Sequence, residues 1–358
     1  MEKTKIMLSL SFSGGNWENA VETLKRFRKA YSSDRFSIIV GIETNGDRNS
    51  ELPWSNKATN DVFSEIRNQG WNDFIFWDEQ LSQLIFDKNI LKDLPKPFYK
   101  SFSYGSAVNR MLLLAKYKQC DFMARIDPGT ESPQDKDICD LLQPHVDMLN
   151  KDPKLIAISG QYEGRLAIRD NNIYCYKKEE YLNFIEKMTG INPKNQVTGG
   201  ALFTFKVPGI PLIPFEPYNP PDGLTFVWAS DDGFLQNLGL AKVCDVTKIP
   251  RFDSVGMPKS PNEYFSGVGG MVYLNALMKK NLVEAKKILY DFIVELDNSF
   301  LCASLPINKG NVPLSLDFIP TEYLIKIEEG WDNYRQLREQ WDEVISTILN
   351  DTNVQNLL

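Results

Sequence analysis

Over the first 250 residues, short apolar runs alternate with helical stripes. Ile6 to Phe12 is mostly apolar and ends at Ser13-Gly14-Gly15-Asn16, which predicts a buried strand. From Trp17 to Tyr31, apolar residues recur at Trp17, Val21, Leu24, Phe27 and Ala30, a helical stripe. Phe36 to Ile42 predicts a second strand, followed by Glu43-Thr44-Asn45-Gly46-Asp47. Residues 6–43 therefore form a βαβ unit with a tight loop after each strand. The same reading gives a helix over Asn60–Asn68, stopped by Gly70, a strand over Asp73–Trp77, and a helix over Ser103–Tyr117. Phe122–Ile126 is a strand, Asp137–Asn150 a helix and Leu155–Ser159 a strand. A helix near Glu179–Met188, a strand up to Phe205 and an edge strand over Ala241–Val246 complete this part. Residues 79–98 carry no clear period.

Beyond Arg251 the pattern becomes helical. Ala285, Ile288, Leu289, Phe292, Ile293 and Leu296 share one face. Trp331, Tyr334, Leu337, Trp341, Val344, Ile345 and Ile348 share another. This gives two regions, an α/β domain over 1–255 and a helical region over 256–358. The second could pack on the first, bind an acceptor or form a homo-oligomer.

Composition narrows the class. In 358 residues, 42% are hydrophobic and 24% charged, which is ordinary for a globular chain. The net charge of -7 argues against general nucleic-acid binding. The five cysteines Cys120, Cys139, Cys175, Cys244 and Cys302 are dispersed, with no CxxC pair, and read as reduced buried thiols. With His145 as the sole histidine, a zinc site is not expected. His145 falls beside the apolar stripe of its helix and reads as a helix-surface residue. No apolar run is long enough to span a membrane and no signal peptide is evident, so a cytoplasmic protein is expected.

Candidate chemistry clusters where strands end. Pro128 and Gly129 stop the strand that carries Arg125, leaving Asp127 at its carboxyl end. A carboxylate there opens toward a ligand crevice in α/β sheets. Asp-Pro-Gly is also ordinary turn chemistry, and its neighbours decide the matter. Glu43 ends a strand at the same edge and could accept bonds from a ribose or base. Gly105, Ser106 and Ala107 let a helix start approach a ligand, and Asn109 and Arg110 follow with donors, an acceptor and a cation. Glu163 and Arg165 form either a substrate contact or a loop salt bridge. Gly199 and Gly200 allow backbone N–H groups close to a diphosphate or sugar, or mark a bulge. Asp231 and Asp232 open a helix; one cap leaves one carboxylate for a base. The loop Ser11–Asn16 lacks both G-x-G-x-x-G and a P-loop lysine, which weighs against hydride transfer and ATP hydrolysis.

The ordered set resembles the nucleotide-sugar glycosyltransferases of the GT-A fold, especially the large inverting family that includes many bacterial polysaccharide enzymes. It comprises the loop after Ser11, the acid and turn at Glu43, Gly105-x-Ala107-x-Asn109-Arg110, Asp127, Gly199-Gly200 and Asp231-Asp232. The resemblance covers about residues 5–240 by eye. It implies a mixed, mostly parallel sheet flanked by helices, with a C-terminal helical appendage. It implies a hexosyltransferase-class enzyme using a donor such as a UDP-sugar and a glycan or other hydroxyl acceptor. Ser11, Glu43, Asn109, Arg110 and Asp127 would lie on the nucleotide side, with Gly199 and Gly200 along the sugar. Asp231 or Asp232 would be the base of an inverting reaction. A divalent cation, Mn2+ or Mg2+, would sit at Asp127. The family's second motif acid is here Gly129, and Glu131 is the substitute expected; Asp253 is a candidate for a missing downstream histidine ligand. A sugar nucleotidyltransferase would want a basic loop after the first strand, which Ser11–Asn16 does not supply. A degenerate domain that binds glycan or nucleotide without turnover is the remaining alternative.

Overall fold

A computed structural model gives the fold. It describes residues 3–11, 17–32, 35–43, 56–77, 79–86, 104–132, 136–162, 183–184, 186–188, 197, 202–209, 235–236, 238–250, 261–296 and 321–358.

The chain opens with β1 (Thr4–Ser11), α1 (Trp17–Lys29) and β2 (Phe36–Glu43). β1 and β2 pair in parallel from Thr4↔Phe36 to Ser11↔Glu43, as the βαβ reading requires. α2 (Asn56–Asn68), β3 (Phe74–Trp77), α3 (Glu79–Phe86), α4 (Tyr104–Tyr117) and β4 (Phe122–Ile126) follow. Then come α5 (Ile138–Lys151), β5 (Ala157–Tyr162), β6 (Phe203–Lys206) and β7 (Ala241–Ile249). The strands form one sheet in the order β3-β2-β1-β4-β6-β5-β7. β6 runs antiparallel to both neighbours, and the other described pairings are parallel. This is the mixed, mostly parallel sheet flanked by helices that the resemblance implies.

Side chains alternate across the sheet, so each strand feeds two cores. Ile6, Leu8 and Leu10 of β1 join Val40, Ala124 and residues of α1, α2 and α5 on one face. Met7, Ile39 and Met123 join α3 and α4 on the other. The C-terminal helices are α6 (Pro261–Lys279), α7 (Leu282–Leu296), α8 (Thr321–Asn350) and α9 (Thr352–Leu357); α6, α8 and α9 add residues to that second face, and α7 packs against α6. Tyr334, Leu337, Trp341, Val344, Ile345 and Ile348 of α8 and Val354 of α9 lie in the same cluster as Met7 and Met111. The C-terminal helices thus help to close the core over the sheet.

Three helices, α3, α6 and the short α9, are absent from the sequence reading. α3 is too short to establish a period. α6 carries apolar residues and glycines all round, so it shows no stripe.

His145 corrects a further expectation. It is fully buried, and its Nδ1 lies 2.8 Å from the Thr204 hydroxyl on β6. α5 lies flat on the sheet, with Ile138, Leu141, Leu142, Val146 and Leu149 buried around it, so the buried arc is wider than the apolar stripe. Burial lowers the imidazole pKa to about 3. Cys120, Cys139 and Cys244 are buried free thiols, as expected, and burial raises Cys120 and Cys139 to about 12. Cys175 and Cys302 lie outside the described residues.

Candidate functional site at the carboxyl edge of the sheet

Strand register places the candidate residues together. Ser11 lies opposite Glu43, and Glu43 opposite Trp77 of β3. Leu10 lies opposite Ile126, so Asp127 leaves β4 at the same edge. β6 enters there as well, its first residue Phe203 paired with Arg125. Alternation from Met7, Ile39 and Met123 puts Ser9, Glu43 and Arg125 on the face that α4 covers.

Among the described residues, two ion pairs stand at this corner. Arg110 of α4 reaches Glu43 with Nη2···Oε1 at 3.0 Å, and neither side chain exceeds 1% exposure. Asn109 beside it is also fully buried. Glu43, expected to meet a ribose or base, thus has its carboxylate against Arg110 and sealed from solvent. The second pair is Arg125 Nη2 to Asp127 Oδ1 at 3.5 Å. Here the arginine is 6% exposed and the carboxylate 29%, so solvent reaches Asp127 and does not reach Glu43. Arg125 was visible in the sequence only as the polar exception in a buried strand. An arginine with no surface to reach is the signal that marks it.

The turn after Asp127 is fixed from two sides. Thr130 donates its N–H and hydroxyl to the Asp127 carbonyl, at 3.3 and 2.8 Å. The Gly129 N–H donates to Thr23 Oγ1 of α1 at 3.0 Å. Gly129 has φ +91°, in the region that favours glycine. Backbone geometry therefore favours a glycine at position 129. Nothing in the sequence pointed to Thr23.

Glu131 is engaged elsewhere. Its carboxylate accepts from Arg26 of α1, and its N–H donates to the Pro250 carbonyl. Arg26 also bonds Glu22 at 3.0 Å. A chelated divalent cation needs several oxygens converging on one point. Asp127 faces Arg125, position 129 offers no side chain, and Glu131 is held by Arg26. Among the described residues no group of three or more His, Cys, Asp or Glu is placed to hold a metal. These residues do not fit a chelated cation.

Gly199, Gly200, Asp231, Asp232, Asp253, Glu163 and Arg165 lie outside the described residues, as does the loop after Ser11. At the opposite edge of the sheet, a cavity of about 880 Å3 is lined by Lys3, Lys5, Gln119, Asp121, Asn150 and Lys206, among others. Lys5 donates to the Lys118 carbonyl at 2.7 Å and Lys206 to the Asp152 carbonyl at 3.1 Å. Both ammonium groups therefore cap helix carboxyl ends, where the partial negative charge already matches them.

Comparison with solved structures finds glycosyltransferases. The chain is similar to the mannosyltransferase PcManGT from Pyrobaculum calidifontis, in complex with GDP-Man and Mn2+. Identity there is 11% over 96% of this chain and 86% of that one, with a TM-score of 0.43. Glucosyl-3-phosphoglycerate synthase from Mycobacterium tuberculosis, in complex with Mg2+ and UDP, is 12% identical over 77% of this chain and 79% of that one, TM-score 0.38. S. aureus TarS residues 1–349 are 11% identical over 95% of this chain and 92% of that one, TM-score 0.38. No family model and no curated protein matches the chain. Likeness at this level assigns no activity, so the chain's own residues must carry that.

Proposed function

We propose that the chain is a glycosyltransferase that moves a sugar from a nucleoside-diphosphate sugar to an acceptor hydroxyl. The observation that carries this reading is Asp127: a solvent-reached carboxylate at the carboxyl end of a central strand, held by a buried arginine. Ligands bind at that edge in open α/β sheets. Asp127 serves the nucleotide side, with Ser11 on the neighbouring strand end. Glu43, Arg110 and Asn109 act from behind as a brace. Gly199 and Gly200 present backbone N–H groups to the sugar.

Asp231 or Asp232 acts as general base. It removes the acceptor proton as the hydroxyl oxygen attacks the anomeric carbon. One carbon–oxygen bond forms, the bond to the diphosphate breaks, and the nucleoside diphosphate leaves with the electron pair. A single displacement of this kind inverts the anomeric centre.

Thermal stabilisation by a panel of UDP-, GDP- and dTDP-sugars, with and without manganese, tests the reading, together with donor hydrolysis. One donor should stabilise the fold and be hydrolysed. Asp231→Asn or Asp232→Asn should then abolish transfer while donor binding persists. Silence across the whole panel would sink the proposal. The misfit at the metal position favours one second reading, a domain that binds the donor without turnover. It predicts stabilisation by a donor but no hydrolysis in the unaltered protein.

A further inference from the structure

Thr23 interrupts an apolar helix face. The buried residues of α1 are Ala20, Thr23, Leu24 and Phe27, at i, i+3, i+4 and i+7. Ala20, Leu24 and Phe27 join the core, whereas Thr23 places a hydroxyl there with no exposure to solvent. A buried polar group in such a face needs a partner. The Gly129 N–H supplies it at 3.0 Å, from 106 positions further along the chain.

That bond closes a short span whose other end is also fixed. Ile126 is held in the sheet opposite Leu10. Only Asp127 and Pro128 stand between Ile126 and Gly129. The proline ring sets its own φ and disfavours helical backbone at Asp127 ahead of it. Thr130 returns its N–H and hydroxyl to the Asp127 carbonyl. With Gly129 held at φ +91°, the backbone of Asp127 is set from both ends, and the direction of its Cα–Cβ bond follows. Arg26 lies one turn further along α1 and holds Glu131. The two grips are unequal. Arg26 and Glu131 are 34% and 30% exposed, so water screens them, whereas Thr23 is sealed.

We propose that Thr23 is a positioning residue for Asp127. By accepting the Gly129 N–H, it sets the direction in which the strand-end carboxylate meets the nucleotide side of the donor. This role rests on the glycosyltransferase reading of Asp127. Thr23 lies in the core between α1 and the turn, and it acts on the donor only through that turn.

Three variants of the full chain test this. Thr23→Val keeps the side-chain shape and removes the acceptor, and Thr23→Ser keeps the acceptor. Leu24→Ala loosens the same core from the neighbouring position. Each is titrated calorimetrically, well below its melting temperature, with whichever UDP-, GDP- or dTDP-sugar stabilises the unaltered protein. Thr23→Val should weaken donor affinity about tenfold or more, because a buried N–H loses its partner and the turn resettles. Thr23→Ser should stay within about threefold of the unaltered protein. Leu24→Ala should lower the melting temperature while donor affinity stays within about threefold. Amide hydrogen exchange should quicken over residues 127–131 in Thr23→Val and stay unchanged in β1. Should Thr23→Val fold poorly, Thr23→Ala removes the acceptor with less bulk and is read in the same way. The proposal is overturned if donor affinity or exchange over 127–131 is unchanged when the acceptor is removed. It is also overturned if Leu24→Ala loses donor affinity to the same extent, which would make Thr23 one more core residue. Silence of every donor toward the unaltered protein is a separate failure, which removes the glycosyltransferase reading and this role with it.

Discussion

Glu43 and Asp127 end two strands of one sheet at the same edge, each met by an arginine. Glu43 is sealed, at 1% side-chain exposure with Arg110 at 3.0 Å. Asp127 keeps 29% of its side chain in solvent, with Arg125 at 3.5 Å. In sequence both were acids after an apolar run, with the same claim to a ligand. What separates them is the cover. α4 lays Arg110 over Glu43, whereas Asp127 leaves its strand into a turn held from the α1 side by Thr23. A carboxylate at a strand end is therefore two different devices, a brace when a helix covers it and a contact when a turn exposes it.

Removing one partner of the sealed pair should break this comparison most forcefully. Arg110→Ala leaves a buried carboxylate opposite a void, a situation that costs about 3–5 kcal/mol. Chemical denaturation should show the midpoint falling with little change in slope. A loss below about 1 kcal/mol would mean that the corner opens to water, and that Glu43 is as available as Asp127.

Asp127→Asn should separate the two roles. The amide keeps the shape and can still contact Arg125, so the stability loss should be about 1–2 kcal/mol. Donor-induced thermal stabilisation should disappear. If the shift survives Asp127→Asn and vanishes with Glu43→Gln, Glu43 is the contact and Asp127 the brace.

Much of this arrangement was legible beforehand, and the reasons differ by residue. The strands were readable because apolar runs ended in turn residues, and parallel pairing followed from the helix between β1 and β2. The edge position of Asp127 followed from Pro128 and Gly129. What could not be read was which acid a helix would cover, because Arg110 reaches Glu43 through tertiary packing from 67 positions further along the chain. The same limit hid His145, whose burial depends on how flatly α5 lies against β6. Glu131 was an attractive metal ligand in sequence, and only the fold shows Arg26 holding it.

His145 asks whether a sealed polar contact needs charge at all. Burial lowers its pKa to about 3, from an ordinary value near 6.5, so the folded protein holds it neutral. Its contribution is therefore complete above pH 6.5 and lost as pH falls from there toward 3. Between pH 6 and 5 the slope should rise from about 1.0 to about 1.3 kcal/mol per pH unit, since the unfolded chain takes up a proton that the fold excludes. His145→Asn keeps a group able to bond Thr204 and should flatten the slope in that window. An unchanged slope would place the titration on other groups.

The weakest substitution sharpens the comparison on its open side. Glu131 and Arg26 are 30% and 34% exposed, so water screens their attraction, and Glu131→Gln should cost no more than about 1 kcal/mol. Its value lies in the binding measurement. If Glu131 is a strut between the turn and α1, donor stabilisation should persist in Glu131→Gln, with the same response to manganese as the unaltered protein. If it is instead the acid that stands in for position 129, the substitution should abolish any manganese dependence together with the donor shift. In that event Arg26 must release Glu131 when the nucleotide arrives, and Arg26→Ala should strengthen manganese binding by freeing the carboxylate.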